Sequence, residues 1–315
     1  MKKLTKNTSL LLSKLLFIIL IIFNKNYLFN NYYINKSNFI CICTLGKKEN
    51  NYIREYVNHY EKYAVDKIFL YDNNDINGEK FEDVIGDYIN KGFVEILNRR
   101  GVNEDIHKIM LDCYNRNYKK YDWLIYYELD EFINLHNYTN IKKFLEEKKF
   151  NNCQLIYLNL VCHTDNNLLY YENKSLAERF PYIVSPSKNL RLQVKFIIKG
   201  HIKKIKIEFL HLHYGTKKLI NCNGFGHKNK INKAFTTEPD YNYYYIDHYY
   251  TKSTEEFINK ITRGDLYDNS KEHMLGKIKK YFLYNKCTKK KIEMIEKKTG
   301  LNLSNFKKKK NWNNF

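Results

Sequence analysis

The stretch NFICICTLGKKENNYIREYVNHYEKYAVDKIFLYDNND, residues 38–75, decides the fold. Residues 38–45 are an apolar run typical of a buried strand, and residues 67–71 (KIFLY) form a second such run. Between the two runs, apolar side chains recur at the spacing of one helix face: Ile53, Tyr56, Val57 and Tyr60. A strand, a helix and a second strand of these lengths predict a parallel βαβ unit.

The same alternation continues further along the chain. Helical patterns occur at residues 81–88 and 106–113, and apolar strand patterns occur at residues 93–97 (FVEIL) and 122–127 (DWLIYY). This order predicts an α/β fold with a doubly wound, mostly parallel sheet flanked by helices. Apolar strands dominate from residue 152 onward, and helical patterns return from about residue 273, which predicts a C-terminal helical extension.

The N-terminal segment has the pattern of a targeting sequence. Lysines precede the apolar run LLLSKLLFIILIIF, residues 10–23, and a polar stretch follows it. No small-x-small cleavage motif follows, which favours an uncleaved type II signal anchor with a lumenal folded part. The alternative is a helix of a soluble protein, because the run is short for a membrane span. We expect a signal anchor and linker at 1–36, a folded domain at 37–265 and a basic helical extension at 266–315.

The composition excludes some classes of protein. Hydrophobic residues make up 43% of the 315 residues, which is enough for a large core and excludes a disordered or collagen-like chain. The net charge is +20, but the lysines are dispersed, and only residues 307–310 form a basic block. Nucleic acid is therefore not expected as the main partner, and a basic nucleic-acid-associated protein ranks third among our hypotheses.

The seven cysteines do not follow a metal or redox motif. They are odd in number, and none forms a C-x-x-C pair, which argues against a zinc ribbon or a thioredoxin-like site. One or two disulfides are compatible with a lumenal domain, and the sequence leaves their pairing open.

Carboxylates follow two of the predicted strands. Asp72 and Asp75 follow the second strand, and Glu128, Asp130 and Glu131 follow the fourth. Ligands of doubly wound sheets bind at the carboxyl ends of the strands. Two carboxylates at i and i+2 can approach one Mg²⁺ or Mn²⁺ that also binds the phosphates of a nucleotide, although a solvated strand end has the same pattern.

Several ordered segments carry a resemblance to a known family: residues 41–75, Cys113, WLIYYELDEFI at 123–133, LAERFPY at 176–182 and DHYYTKSTEEFINKITRG at 247–264. Together they resemble the family 92 glycosyltransferases and their GT-A relatives. The last segment is similar to the family signature His-Tyr-x-x-Lys-Ser-x-Glu-Glu-Phe-x-x-Lys. The sequence departs from the family pattern in two main places. Glu128 replaces the first Asp of the usual Asp-x-Asp, and residues 159–163 replace the aromatic-Gly segment before the acceptor loop.

The resemblance implies a GT-A glycosyltransferase of the hexosyltransferase type. It would be metal-dependent and inverting, and it would move a sugar from a nucleotide-diphosphate donor to a hydroxyl of a glycan or glycoprotein. Asp130 would be the main ligand of Mn²⁺ or Mg²⁺, Glu128 a second contact to the metal or ribose, and His248 a third ligand, with a structural His248 as the alternative. The main competing hypothesis is a non-catalytic sugar- or nucleotide-binding domain with an eroded metal motif.

The same resemblance assigns the remaining site residues. Glu49 and Asp72 would hold the base and ribose, and Lys252 and Arg263 would neutralise the diphosphate unless they belong to a solvated helix face. Inversion requires a general base for the acceptor hydroxyl. The candidates are Asp165 and, preferred for its Glu-Arg-Phe context, Glu178, which alternatively pairs with Arg179. His211 and His213 alternate along a strand, and zinc binding there is a minor alternative.

Overall fold

A computed structural model describes residues 38–102, 105–184, 193–203, 205, 219–228, 240–264 and 270–307. The predicted anchor at 10–23 and the pair His211 and His213 lie outside these residues. From Phe39 onward the described residues belong to one compact unit. In the described ranges, no helix combines the length and the apolar character needed to cross a membrane.

Strands and helices alternate in the first half of this unit, as predicted. The elements are β1 (Ile40–Gly46), α1 (Asn50–Lys62), β2 (Lys67–Asp72), α2 (Glu82–Asn90), β3 (Val94–Asn98), α3 (Ile106–Asn117) and β4 (Trp123–Ile125). The middle of the chain is richer in strands: β5 (Glu131–Leu135), α4 (Ile141–Leu145), a 3-10 turn (Lys148–Phe150), β6 (Leu155–Cys162), α5 (Leu176–Arg179), β7 (Val194–Lys199), β8 (Asn221–Asn223) and β9 (Tyr244–His248). Four helices follow: α6 (Thr254–Thr262), α7 (Lys271–Tyr284), α8 (Lys289–Thr299) and α9 (Ser304–Lys307).

The described strands form one mixed sheet in the order β3-β2-β1-β4-β7-β6-β9-β5, and β8 pairs with β6. Strands β1 to β4 are mutually parallel, and β6 is parallel to β8 and β9. Strand β7 runs antiparallel to β4 and β6, and β5 runs antiparallel to β9. Most of the pairings are therefore parallel, which confirms the predicted sheet.

Helices cover both faces of the sheet. Ile40 and Ile42 of β1 pack in the core that contains α1 and α2, whereas Cys41 and Cys43 face the core that contains α3. This alternation is expected when successive side chains of a strand point to opposite faces. Helices α6 to α9 share a separate apolar core, so the predicted C-terminal helices are present, although α6 precedes the predicted boundary at residue 265.

The predicted strand at 122–127 is shorter than its sequence indicates. Strand β4 ends at Ile125, and β5 begins at Glu131, so residues 126–130 connect the two strands. Glu131 closes the intervening turn, because its carboxylate accepts from the Glu128 N–H at 2.9 Å and its own N–H donates to the Glu128 carbonyl at 3.0 Å. Glu128 and Asp130 thus lie on a turn between two strands, and Glu131 is the first residue of the second strand.

Two disulfides cross-link the domain. Cys43 of β1 bonds Cys113 of α3, and Cys153, just before β6, bonds Cys222 of β8. Their Cα separations are 6.2 and 5.8 Å, within the range of natural disulfides. The structure therefore supplies the pairing that the sequence left open.

Candidate active site

The turn between β4 and β5 holds carboxylates of different exposure. Asp130 and Glu131 are buried, whereas the side chain of Glu128 is 38% exposed. The buried Lys195 of β7 lies between two of them, 2.9 Å from Glu128 and 3.0 Å from Glu131. Lys195 thus offsets part of the negative charge of these carboxylates.

Asp130 faces two further lysines. Its Oδ2 atom lies 2.7 Å from Nζ of Lys260 on α6 and 3.5 Å from Nζ of Lys252, which precedes that helix. Burial raises the pKa of Asp130, but Lys260 and Lys252 lower it by more than burial raises it. The net pKa of Asp130 therefore lies well below the ordinary range. The Asp130 carboxylate is therefore ionised at physiological pH.

His248 approaches Asp130 from the neighbouring strand. It ends β9 directly opposite Glu131 of β5, and its Nε2 atom lies 3.7 Å from Oδ1 of Asp130 and 3.9 Å from Glu131. This Nε2 atom is buried and has no hydrogen-bond partner. Burial lowers the His248 pKa to about 3, although Asp130 acts in the opposite direction. The imidazole is therefore neutral, which is the form that binds metals.

This arrangement fits a divalent metal only in part. The described residues contain no group of three or more His, Cys, Asp or Glu side chains arranged to hold a metal ion. They do place an ionised carboxylate, Asp130, beside the unbonded nitrogen of His248. An oxygen and an imidazole nitrogen are suitable ligands for Mn²⁺, and the remaining positions would fall to phosphate oxygens or water.

Lys252 and Lys260, the two lysines that contact Asp130, also line a cavity of about 410 Å³. It lies between the loop that follows β1 and helix α6, and its lining includes Glu49, Tyr52, Lys252, Lys260 and Arg263. The structure thus brings together three residues predicted for nucleotide-sugar binding. With Lys48, the lining has four cationic side chains and the carboxylates of Glu49, Glu79 and Glu256. The cationic side chains offer partners to an anionic ligand.

Glu49 and Arg263 form an ion pair at the edge of the cavity. Nη1 of Arg263 lies 2.6 Å from Oε1 of Glu49 and also donates to the Lys47 carbonyl at 2.5 Å. Burial lowers the pKa of Arg263, but Glu49 more than offsets this, so the guanidinium stays charged. The pair joins the end of α6 to the loop after β1, and both of its residues line the cavity.

Asp72 lies one contact away from the cavity. It is buried at the end of β2, where it pairs with Arg100 at 2.6 Å and accepts from the N–H of Asn74 at 2.9 Å. Arg100 in turn donates to the carbonyl of the cavity-lining Glu79 at 3.2 Å. In this structure Asp72 therefore supports the cavity wall through Arg100.

The two candidate bases have other partners. Glu178 is exposed and accepts from both the N–H and the hydroxyl of Ser175 in a capping box at the start of α5. Asp165 is buried and accepts from Lys291 of α8 and Tyr281 of α7, each at 2.5 Å. The structure does not bring either carboxylate to Asp130, and the identity of the base stays a prediction.

Sequence reasoning missed several charged residues of the site. Lys260 is the lysine that ends the family signature pattern within residues 247–264, and that position was the available signal. Lys195 interrupts an apolar strand pattern, which indicates a buried lysine with a nearby carboxylate. Arg179 pairs with Glu256 at 2.7 Å rather than with the neighbouring Glu178. No local pattern predicts that pair, because its partners are 77 residues apart.

The chain has an α/β fold with a cavity between the loop that follows β1 and helix α6. The model of the family described as Glycosyltransferase family 92 matches residues 36–282, which is most of the chain. The protein belongs to glycosyltransferase family 92.

Solved structures resemble the chain more distantly. The crystal structure of S. aureus TarS shares 10% identity, covers 78% of this chain and 43% of that chain, and has a TM-score of 0.33. This chain therefore spans less than half of the TarS length. The structure of S. aureus TarS 1-349 in complex with UDP shares 11% identity over 78% of this chain and 70% of that chain, with a TM-score of 0.36. No curated protein matches the chain significantly.

Proposed function

We propose that the protein transfers a sugar from a nucleotide-diphosphate donor to a hydroxyl of a glycan or glycoprotein, with inversion and with the help of Mn²⁺ or Mg²⁺. The observation that carries this proposal is the ionised Asp130, which lies beside the unbonded His248 nitrogen and two lysines at a cationic cavity. A diphosphate supplies the negative charge that such a cavity favours.

Asp130 and His248 would hold the metal, and the exposed Glu128 would contact either the metal or the ribose. When bound, the metal would neutralise charge on the leaving diphosphate. The chain's own contribution is the ordered frame: the register of β5 and β9 sets the separation of Asp130 and His248. Metal-binding side chains that paired strands already hold in place lose little entropy when the metal binds.

Lys252, Lys260 and Arg263 would bind the diphosphate, because all three line the cavity. Lys260 is charged even though burial lowers its pKa, since Asp130 raises that pKa above the ordinary value. Glu49 would meet the nucleoside at the mouth of the cavity, and Asp72 would support this region through Arg100. Of the two candidate bases, Glu178 has the exposed carboxylate that an acceptor hydroxyl can reach, and it stays our candidate.

A screen of nucleotide sugars tests the proposed function. The full chain is incubated with each donor and Mn²⁺, and the release of nucleotide diphosphate is measured with and without a chelator. We expect release with one donor class and its loss after chelation, with recovery when Mn²⁺ is restored. Release that is unaffected by chelation would contradict the metal dependence. If none of the donors gives release of nucleotide diphosphate, the proposed catalytic function is contradicted.

We also propose that the domain is lumenal and is held by a type II anchor within residues 10–23. The two disulfides support a location in an oxidising compartment. In eukaryotic cells, we expect the full chain to stay with membranes during carbonate extraction, while a chain that begins at residue 36 is released. Release of the intact full chain would contradict the anchor, and release of a shortened chain would indicate a cleaved signal peptide.

A further inference from the structure

Lys252 is held in an unusual backbone conformation. Its φ angle is +49°, in the left-handed region that non-glycine residues rarely adopt. The residue is also buried, with 4% of its surface exposed. Such strain persists only when the surroundings fix it, and it concentrates at functional sites. The contacts of Lys252 therefore show which residues fix its position.

The Lys252 ammonium group lies between a carboxylate and an aromatic ring. Its Nζ atom is 4.3 Å from the ring centroid of Tyr52 on α1 and 3.5 Å from Oδ2 of Asp130. A cation within about 6 Å of a tyrosine ring centroid is attracted by the ring's quadrupole. Both Tyr52 and Lys252 line the cavity, so this contact forms part of its wall.

Tyr52 is itself fixed from the opposite end. Its hydroxyl donates to Oε1 of Glu256 at 2.6 Å, and Arg179 holds both oxygens of that carboxylate at 2.9 and 2.7 Å. Glu256 also accepts from the N–H of Ser253, the residue after Lys252, at 3.1 Å. The ring of Tyr52 thus contacts the Lys252 ammonium group, and the Tyr52 hydroxyl is linked through Glu256 to the backbone next to Lys252.

We propose that Tyr52 is a positioning residue for the donor: its ring holds the Lys252 ammonium group where the donor diphosphate binds. This inference rests on the proposed function, in which Lys252 contacts the diphosphate. The Tyr52 hydroxyl has a second task, which is to lock the turn that places Lys252. Loss of the ring weakens diphosphate binding, whereas loss of the hydroxyl alone leaves most of the affinity.

The test measures binding of UDP, GDP and CDP to the full chain by calorimetry with Mn²⁺. Tyr52→Leu is expected to weaken binding of the preferred nucleotide about 10-fold, and Tyr52→Phe to keep it within about threefold of the original. Tyr88→Leu is the matched control. Tyr88 has the same 7% exposure and also carries a lysine over its ring, Lys91 at 4.8 Å, but it does not line the cavity.

A double-mutant cycle tests whether Tyr52 acts through Lys252. In a Lys252→Met background, Tyr52→Leu is expected to cause no further loss of nucleotide affinity. A loss of the same size in both backgrounds would overturn the inference, as would equal losses for Tyr52→Phe and Tyr52→Leu. Tyr52→Met, with a longer side chain, replaces Tyr52→Leu if the leucine variant melts below the assay temperature.

The outcomes also separate this inference from the proposed function. If the unchanged protein binds no nucleoside diphosphate, the proposed function fails and the inference fails with it. If the unchanged protein binds one and Tyr52→Leu binds it equally well, only the inference fails.

Discussion

Replacing Asp130 with asparagine is expected to reduce sugar transfer by about 100-fold or more. The amide keeps the size of the side chain but removes the negative charge that would hold the metal diphosphate. Asparagine is preferable to alanine, because alanine would leave the ammonium groups of Lys260 and Lys252 around an empty position. The measurement is Mn²⁺-dependent nucleotide release from the preferred donor at saturating metal.

Asp87→Asn is the matched control for this prediction. Asp87 is also an ion-paired aspartate, with Arg54 at 2.8 Å, but the pair is exposed on the outer helices α1 and α2. We expect this variant to keep both its activity and its melting temperature. Unchanged turnover of Asp130→Asn at saturating Mn²⁺ would show that Asp130 is not a metal ligand.

Replacing Asp165 with alanine is expected to lower the free energy of unfolding by about 3–5 kcal/mol. Lys291 of α8 is 1% exposed, and the variant would leave its ammonium group buried without its carboxylate partner. The Tyr281 hydroxyl would lose its acceptor as well. Urea denaturation followed by circular dichroism gives the change in unfolding free energy.

A paired substitution checks the cause of that loss. Asp165→Asn combined with Lys291→Met removes both charges while keeping the approximate shape, and it should recover part of the stability lost by Asp165→Ala. A loss below about 1 kcal/mol for Asp165→Ala would be the size of an exposed pair and would contradict the buried anchor. Full stability with abolished transfer would instead restore Asp165 as the general base.

The first half of the fold could be predicted from the sequence because its signals are local. The apolar spacing of Ile53, Tyr56, Val57 and Tyr60 requires only neighbouring residues, and α1 buries all four. The end of β4 was not readable, because Tyr126 and Tyr127 are apolar enough for a strand and remain buried beyond its last residue. Burial explains an apolar residue equally well in a strand or in the turn that follows it.

The site was predicted where a motif names its residues and missed where partners come from distant segments. Asp130 and His248 come together because β5 pairs with β9, and the resemblance to a family supplied both residues. The partners of Asp165 lie more than 100 residues away in α7 and α8, and no spacing rule connects them. Long-range ion pairs depend on how helices pack, which one sequence does not encode in a short pattern.

The two disulfides lie in tandem along the chain, since Cys43 and Cys113 both precede Cys153 and Cys222. If the folded part enters an oxidising compartment during synthesis, Cys43 and Cys113 arrive there before the second pair has been synthesised. Until Cys153 emerges, the one competing thiol is Cys41, two residues from Cys43 on the same face of β1. In such a compartment the order of synthesis would favour these pairs, and a full chain refolded from denaturant, with all seven thiols present at once, would lack that order.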